Sequence, residues 1–253
     1  MSKSLSSAPK LVVFADLDDT LFQTLHKRNA GGAIPMGYGR DDAPLSYACP
    51  KQQKLLACFM DQGTVIPTTA RNYESFKRVR YPFSSYAILN FGATLLNPDG
   101  ALNEEWHATM CAKAQLLQEE LLAHLERAQL YDSRYQLGLT IRLVSDFGQA
   151  WYVLVKHLGH LEGPLDALQE RWLQTISKDF VVRRNGNNLT LSPTFLDKKH
   201  AVERVVGQYF DIDRDLFIGA GDSLSDFDFM STCDYLLTPA KSQLHNSFGK
   251  NLK

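Results

Sequence analysis

One ten-residue stretch constrains this chain more than any other: Leu11-Val12-Val13-Phe14-Ala15-Asp16-Leu17-Asp18-Asp19-Thr20. Four apolar residues in a row, two of them β-branched valines, read as a buried strand of a parallel sheet. Three carboxylates and a threonine follow directly. Sealed into a core, such acidic density would be costly, so a cation or solvent is expected at the strand tip. Open α/β sheets bind ligands at the carboxyl ends of their strands, which is where this stretch delivers Asp16 and Asp18.

The bulk properties narrow the classes. A chain of 253 residues suits one large domain or two small ones and can bury a full core. With 27 basic and 28 acidic side chains the net charge is −1, which makes no electrostatic case for nucleic acid or an anionic membrane. The first ten residues are polar and Ser-rich, and Leu11 to Phe14 is too short to span a bilayer or serve as a signal core. Cys49, Cys58, Cys111 and Cys233 are scattered without a C-x-x-C pair, which reads as ordinary reduced thiols. The expectation is a soluble, cytoplasmic protein.

Along the chain, His26 to Pro50 lacks periodicity and reads as a long loop, either lining a pocket or running over the surface. Pro50 opens a helix that Gly63 ends, with Leu55, Leu56, Phe59 and Met60 inward. Thr64 to Pro67 is a second strand, its proline tolerable at the last position. Thr68-Thr69-Ala70-Arg71 leave at that edge, with Asn72 as the next helix cap. Ala87 to Asn90 is a third short strand, and Thr94 to Leu102 a small hairpin around Asn97-Pro98-Asp99-Gly100. Asn103 caps one long helix reaching to about Gln129.

Antiparallel β composition follows. Arg134 to Val144 and Trp151 to Val155 pair across Asp146-Phe147-Gly148, Leu165 to Ile176 is a helix, and Asp179 to Arg184 pairs with Leu189 to Leu191 around Asn185-Gly186-Asn187. Helix returns from Asp197 to Gln208. Leu216 to Gly219 is a fourth core strand ending in Ala220-Gly221-Asp222-Ser223-Leu224-Ser225-Asp226, and Tyr235 to Leu237 is a last short strand. The tail from Lys241 to Lys253 reads as solvated.

Asp16 and Asp18, Thr69, one of Lys198 or Lys199, and Asp222 with Asp226 therefore come in order, three of the four sets just after β-type runs. Each type has a use in moving a phosphoryl group. A carboxylate can be the nucleophile, and a second one beyond the strand end can protonate the leaving alcohol and then activate water. Carboxylate and carbonyl oxygens suit Mg²⁺, while lysine and a hydroxyl balance charge on the transferred oxygens.

This order of motifs resembles the haloacid dehalogenase superfamily over nearly the whole chain. The resemblance implies an α/β fold: a Rossmann-like core with a parallel sheet, residues 1–102 and 193–253, plus an inserted α+β C2-type cap, 103–192. It implies Asp16 as nucleophile, Asp18 as general acid/base with a metal-binding backbone carbonyl, Thr69 as the second-motif hydroxyl and Lys198 as the third-motif lysine, with Lys199 the fallback. Asp222 and Asp226 match the fourth motif, Gly-Asp-x-x-x-Asp, so that Mg²⁺ is implied at Asp16, Asp18, Asp222 and Asp226. Ser225 departs from the asparagine often found there.

Within the superfamily the chain is most similar to the sucrose-phosphatase and mannosyl-phosphoglycerate-phosphatase group, with Asn90-Phe91-Gly92-Ala93 as a further match. That implies a Mg²⁺-dependent hydrolase of a small phosphorylated metabolite, a sugar phosphate first. A phosphomutase or nucleotide phosphatase would share the core chemistry, and a non-catalytic binding or regulatory protein would have lost one of the four motifs. Arg71 on the catalytic edge, Asn90, and Arg142 and Arg183 on the inserted strands are the candidate substrate contacts. For Lys156, Arg142, Arg183 and Arg184 a solvated sheet face is the plainer reading, as an exposed turn is for His157 and His160.

Overall fold

A computed structural model of the chain describes residues 8–24 and 31–251. It divides into two compact units, Met1–Leu102 with Asp197–Lys253, and Asn103–Leu196.

The first unit is built on a parallel sheet whose middle strand is β1 (Leu11–Ala15). β5 (Gly63–Pro67) lies on one side and β12 (Leu216–Ala220) on the other, with β13 (Tyr235–Leu237) outside β12. The registers Ala15↔Pro67 and Ala15↔Ala220 bring three strand ends level, so the residues after each leave at one edge. Alternation sends Val13 and Ala15 into a cluster with Leu56 and Phe59, while Phe14, on the other face, stacks on Phe217 at 6.5 Å. Leu56 and Phe59 belong to α1 (Pro50–Gln62), which has proline in its first turn and whose Gln52 accepts the Cys49 amide.

The stretch read as a long loop is instead a small antiparallel sheet. β2 (Gln23–Thr24), β4 (Pro44–Ala48) and β3 (Ile34–Tyr38) run in the order β2-β4-β3. Register shifts on either side of Gly37 break the alternation that would have betrayed β3, and its edge position tolerates Pro35. Residues 26–30 of that stretch lie outside the described residues. Met36 and Ala48 pack into the same cluster as Val13.

The expected third core strand is also different. β6 (Ala87–Leu89) pairs antiparallel with β7 (Thr94–Leu96) and meets the parallel sheet through a single bridge, Thr68↔Ile88. The turn Asn97 to Leu102 contributes only the bridge Leu96↔Leu102 rather than a hairpin of its own. α2 (Tyr73–Phe76), α6 (Lys198–Tyr209), α7 (Phe227–Met230) and α8 (Gln243–Asn251) complete the unit. α8 replaces the expected solvated tail, and Leu244 is buried.

In the second unit the expected single helix is two, α3 (Glu104–Gln115) and α4 (Gln118–Tyr135). The break falls at Leu116 and Leu117, where Leu117 leaves helical geometry at φ −115°, ψ 4°, with no glycine or proline to announce it. α4 also takes up the residues expected to begin a strand. The sheet runs β10-β11-β9-β8, from β8 (Leu139–Asp146), β9 (Gln149–His157), β10 (Phe180–Asn185) and β11 (Asn188–Pro193). One face, with Ile141, Val153, Val182 and Leu191, packs on Leu121 and Ala128 of α4 and on Leu165 and Leu168 of α5 (Glu162–Leu173). Alternation gives Arg142, Tyr152, Arg183 and Ser192 to the opposite face. The four cysteines are free. Among the described residues no helix is long and apolar enough to cross a membrane.

Candidate active site

The strand-end residues of the parallel sheet converge. Asp16 continues the ladder beyond β1 by donating its amide to Ala220, and the Thr68 amide pairs with Ala15. The chain after Asp16 doubles back, with Asp19 in the left-handed region at φ 66° and its amide on the Phe22 carbonyl. An aspartate adopts that conformation more readily than most residues.

Lys198, at the start of α6, reaches in from the other side. Its Nζ lies 2.6 Å from Asp16 Oδ1 and 2.6 Å from Asp226 Oδ1, and all three side chains are buried. Lys199 points elsewhere and pairs with Glu203 at 3.8 Å. The position of Lys198 is set by the left-handed run Asn90-Phe91-Gly92, with φ 53°, 55° and 93°. A Cβ on Gly92 would stand 2.5 Å from the Asp197 carbonyl oxygen, so only glycine lets this turn press against the helix start. Asn90 is buried in the same turn, its side chain donating to Thr94 Oγ1 and its amide to the Arg71 carbonyl.

Asp226 uses its second oxygen on the Asp222 and Ser223 amides, 3.2 and 3.0 Å, and on the Ser223 hydroxyl at 2.7 Å. The loop closes tightly enough that a Cβ on Gly221 would meet the Asp226 side chain. Asp222 faces Thr20, whose hydroxyl is 3.5 Å from Oδ1. Asp16, Asp222 and Asp226 each offer an oxygen within 4.8 Å of the others.

Asp16 and Asp226 thus share one ammonium, with a third carboxylate, Asp222, beside them. Burial drives the Asp16 carboxyl well above its usual range, opposed by Lys198 and reinforced by Asp226, Asp222 and Asp18. Burial acts to lower the Lys198 pKa, but Asp16 and Asp226 outweigh it and raise it. The surplus of negative charge and the hard oxygen donors fit a divalent cation of the Mg²⁺ type.

Asp18 is held apart from this group. Arg71 grips it with two hydrogen bonds of 2.7 Å from Nε and Nη2, while Nη1 donates to the Ser75 carbonyl. The guanidinium lies 5.3 Å above the Phe22 ring, and a Cβ on Gly37 of β3 would come within 3.4 Å of it. The stretch read as a loop therefore flanks the Arg71–Asp18 pair. Thr69, buried at the end of β5, accepts the Arg71 amide at its hydroxyl. Sequence spacing could not reveal the Arg71–Asp18 pair, whose members are 53 positions apart and joined only by the β1–β5 register.

Within the second unit, Arg183 donates to Ser192 Oγ at 2.6 Å and to the Leu196 carbonyl, and Arg142 is exposed on the same sheet face. Arg184 pairs with Asp166. His157 closes its own turn, Nδ1 accepting the Gly159 and Leu161 amides.

No family model matches the chain, and no curated protein matches its sequence. Solved structures do match. The C-terminal domain of the C. albicans trehalose-6-phosphate phosphatase superposes with a TM-score of 0.60 at 14% identity, covering 89% of this chain and 73% of that one. A Synechocystis sucrose-phosphatase in complex with sucrose and phosphate gives 0.50 at 15%, covering 96% and 97%. A haloacid dehalogenase-like hydrolase from Bacteroides thetaiotaomicron gives 0.50 at 12%, covering 96% and 99%. A parallel sheet carrying buried acids at its strand ends, and the match to these structures along nearly its whole length, make this chain one with the haloacid dehalogenase-like fold.

Proposed function

We propose that the chain is a phosphomonoester hydrolase acting on a small phosphorylated metabolite, with residues 103–192 as its cap. The observation that carries this reading is the buried group of Asp16, Lys198, Asp222 and Asp226 at one sheet edge.

In this reading an Asp16 oxygen attacks phosphorus and the ester P–O bond breaks, leaving an aspartyl-phosphate. The departing oxygen takes a proton from Asp18, and the resulting carboxylate then removes a proton from the water that cleaves the aspartyl-phosphate. Inorganic phosphate leaves and Asp16 is regenerated. Lys198 holds Asp16 in place and offers positive charge to the transferred oxygens, and Thr69 stands at the same edge as a hydroxyl donor. Arg71, occupied with Asp18, orients the acid/base rather than the substrate. A divalent cation such as Mg²⁺, held by Asp16, Asp222 and Asp226 with the Asp18 carbonyl, would supply further charge against the phosphate oxygens.

Substrate choice is assigned to Arg142 and Arg183 on the polar face of the second sheet, beside the buried Tyr152. A phosphorylated sugar is the first candidate, supported by the sucrose-phosphatase and the trehalose-6-phosphate phosphatase among the fold's matches. Asn90 is left with the structural task of shaping the turn behind Lys198.

The test is phosphate release from a panel of phosphorylated sugars, polyols, nucleotides and phosphoglycerates, run with Mg²⁺, with EDTA, and with Asp16→Asn. Release that requires both the metal and Asp16 is the expected result. Release that survives Asp16→Asn in full would remove the nucleophile assignment.

A further inference from the structure

The second unit contains a cleft of about 680 Å³ between α4 and α5. That volume lies within the range of small-molecule pockets. Its floor is apolar and aromatic, with Ala128, Leu168 and Trp172 buried and Tyr131 beside them. Its walls carry Arg127 and Arg134, seven positions apart on α4, and Arg171 on α5, against one lining carboxylate, Glu170. None of the three arginines forms an ion pair among the described residues, although Arg134 lies over the Tyr135 ring at 5.5 Å.

His124 lines this cleft and is 1% exposed, yet neither ring nitrogen has a hydrogen-bond partner. Its Nε2 stops 3.6 Å from Glu120, beyond hydrogen-bond length. The indole Nε1 of Trp172, 2% exposed, is likewise without a partner. Burial, with Arg127 adding to it and Glu120 opposing, lowers the His124 pKa, so the neutral ring presents one donor and one acceptor. These ring nitrogens are sealed from the open cleft, so its positive charge is that of its arginines.

We propose that this cleft binds a small organic anion, a carboxylate, sulfonate or phosphate carried on a flat aromatic body. Tyr131 and the apolar floor take the ring system, and the guanidiniums take the anionic group. The site is built wholly within the second unit and does not depend on the proposed phosphatase chemistry.

The probe is 8-anilinonaphthalene-1-sulfonate, an aromatic sulfonate whose emission rises in apolar surroundings, titrated into the full chain. N-phenyl-1-naphthylamine serves as its neutral counterpart. Saturable binding of one probe per chain is expected, with the neutral compound bound about tenfold more weakly because it forgoes the charge-assisted contacts. Arg127→Ala/Arg171→Ala is expected to weaken the sulfonate by about tenfold as well, and Tyr131→Ala to weaken both compounds. Urea unfolding of each variant confirms that it is folded. Non-saturating emission, or equal affinity in parent and both variants, would overturn the site. Equal affinity for the neutral compound would overturn its anionic character. A dimer in sedimentation that Arg171→Glu breaks would assign the face to a second copy and overturn the proposal too.

Discussion

Two regions of this molecule hold an imbalance of charge, with opposite signs and opposite burial. At the edge of the parallel sheet three carboxylates face one ammonium, and Asp16, Asp222 and Asp226 are 6%, 5% and 0% exposed. Between α4 and α5 three guanidiniums face one carboxylate at an open cleft. A buried surplus must be compensated in place, so the acids are interlocked with Lys198 and with backbone amides. An exposed surplus is stabilised by water, so the arginines need no internal partner. The first arrangement has the donor chemistry that suits a compact hard cation. The second, above an aromatic floor, selects an anion that brings its own apolar surface.

If that contrast is right, substitutions in the acidic group should be severe and those in the cleft mild. The largest effect is expected from Asp16→Asn, which should lower phosphate release by at least about a thousandfold while leaving the urea midpoint close to the parent's. Residual turnover near the parent rate would break the comparison at its centre. Next comes Lys198→Met, measured by urea unfolding in EDTA. Leaving Asp16 and Asp226 buried without their shared ammonium should cost about 3–5 kcal/mol. A loss comparable to that of a surface substitution would mean that the acids do not depend on the lysine.

Gly92→Ala tests the support behind the group rather than the group itself. Its φ of 93° and the Asp197 carbonyl beside it leave no room for a methyl, and a destabilisation of about 2 kcal/mol is expected. Turnover should fall further than the residual stability explains, because Lys198 shifts with the turn. At the mild end, Arg127→Ala/Arg171→Ala should change stability by no more than about 0.5 kcal/mol. A larger loss in the urea midpoint would show that the arginines hold the helices together and are not kept for a ligand.

The two regions also differ in how far they can be read from sequence. The acidic group is legible because an apolar run followed by carboxylates is a local pattern, repeated at Asp16 and at Asp222. What escapes is whatever depends on register. Arg71 meets Asp18 only because β5 lies beside β1, and nothing in either segment names the other. β3 escapes because Pro35 and the shifts around Gly37 erase its alternation. The break between α3 and α4 escapes because Leu116 and Leu117 are good helix formers. For the cleft, the pairing of Arg127 with Arg134 escapes as well, because Arg134 reads as the start of a strand and not as part of the helix that carries Arg127. The contribution of Arg171 needed the packing of α4 and α5 against one sheet.

The central place of β1 has a consequence for how this protein comes into being. One neighbour, β5, arrives soon after it, but the other, β12, comes from the far end of the chain, and Asp16 waits 182 positions for Lys198. A nascent chain emerging from the ribosome therefore carries its most acidic strand tip with one flank open until Leu216–Ala220 has been made. Loop closure over such separations is slow, and folding rates fall as mean contact separation rises. The second unit, one continuous segment, can form during that interval. Completion of the sheet waits on the segment that carries β12.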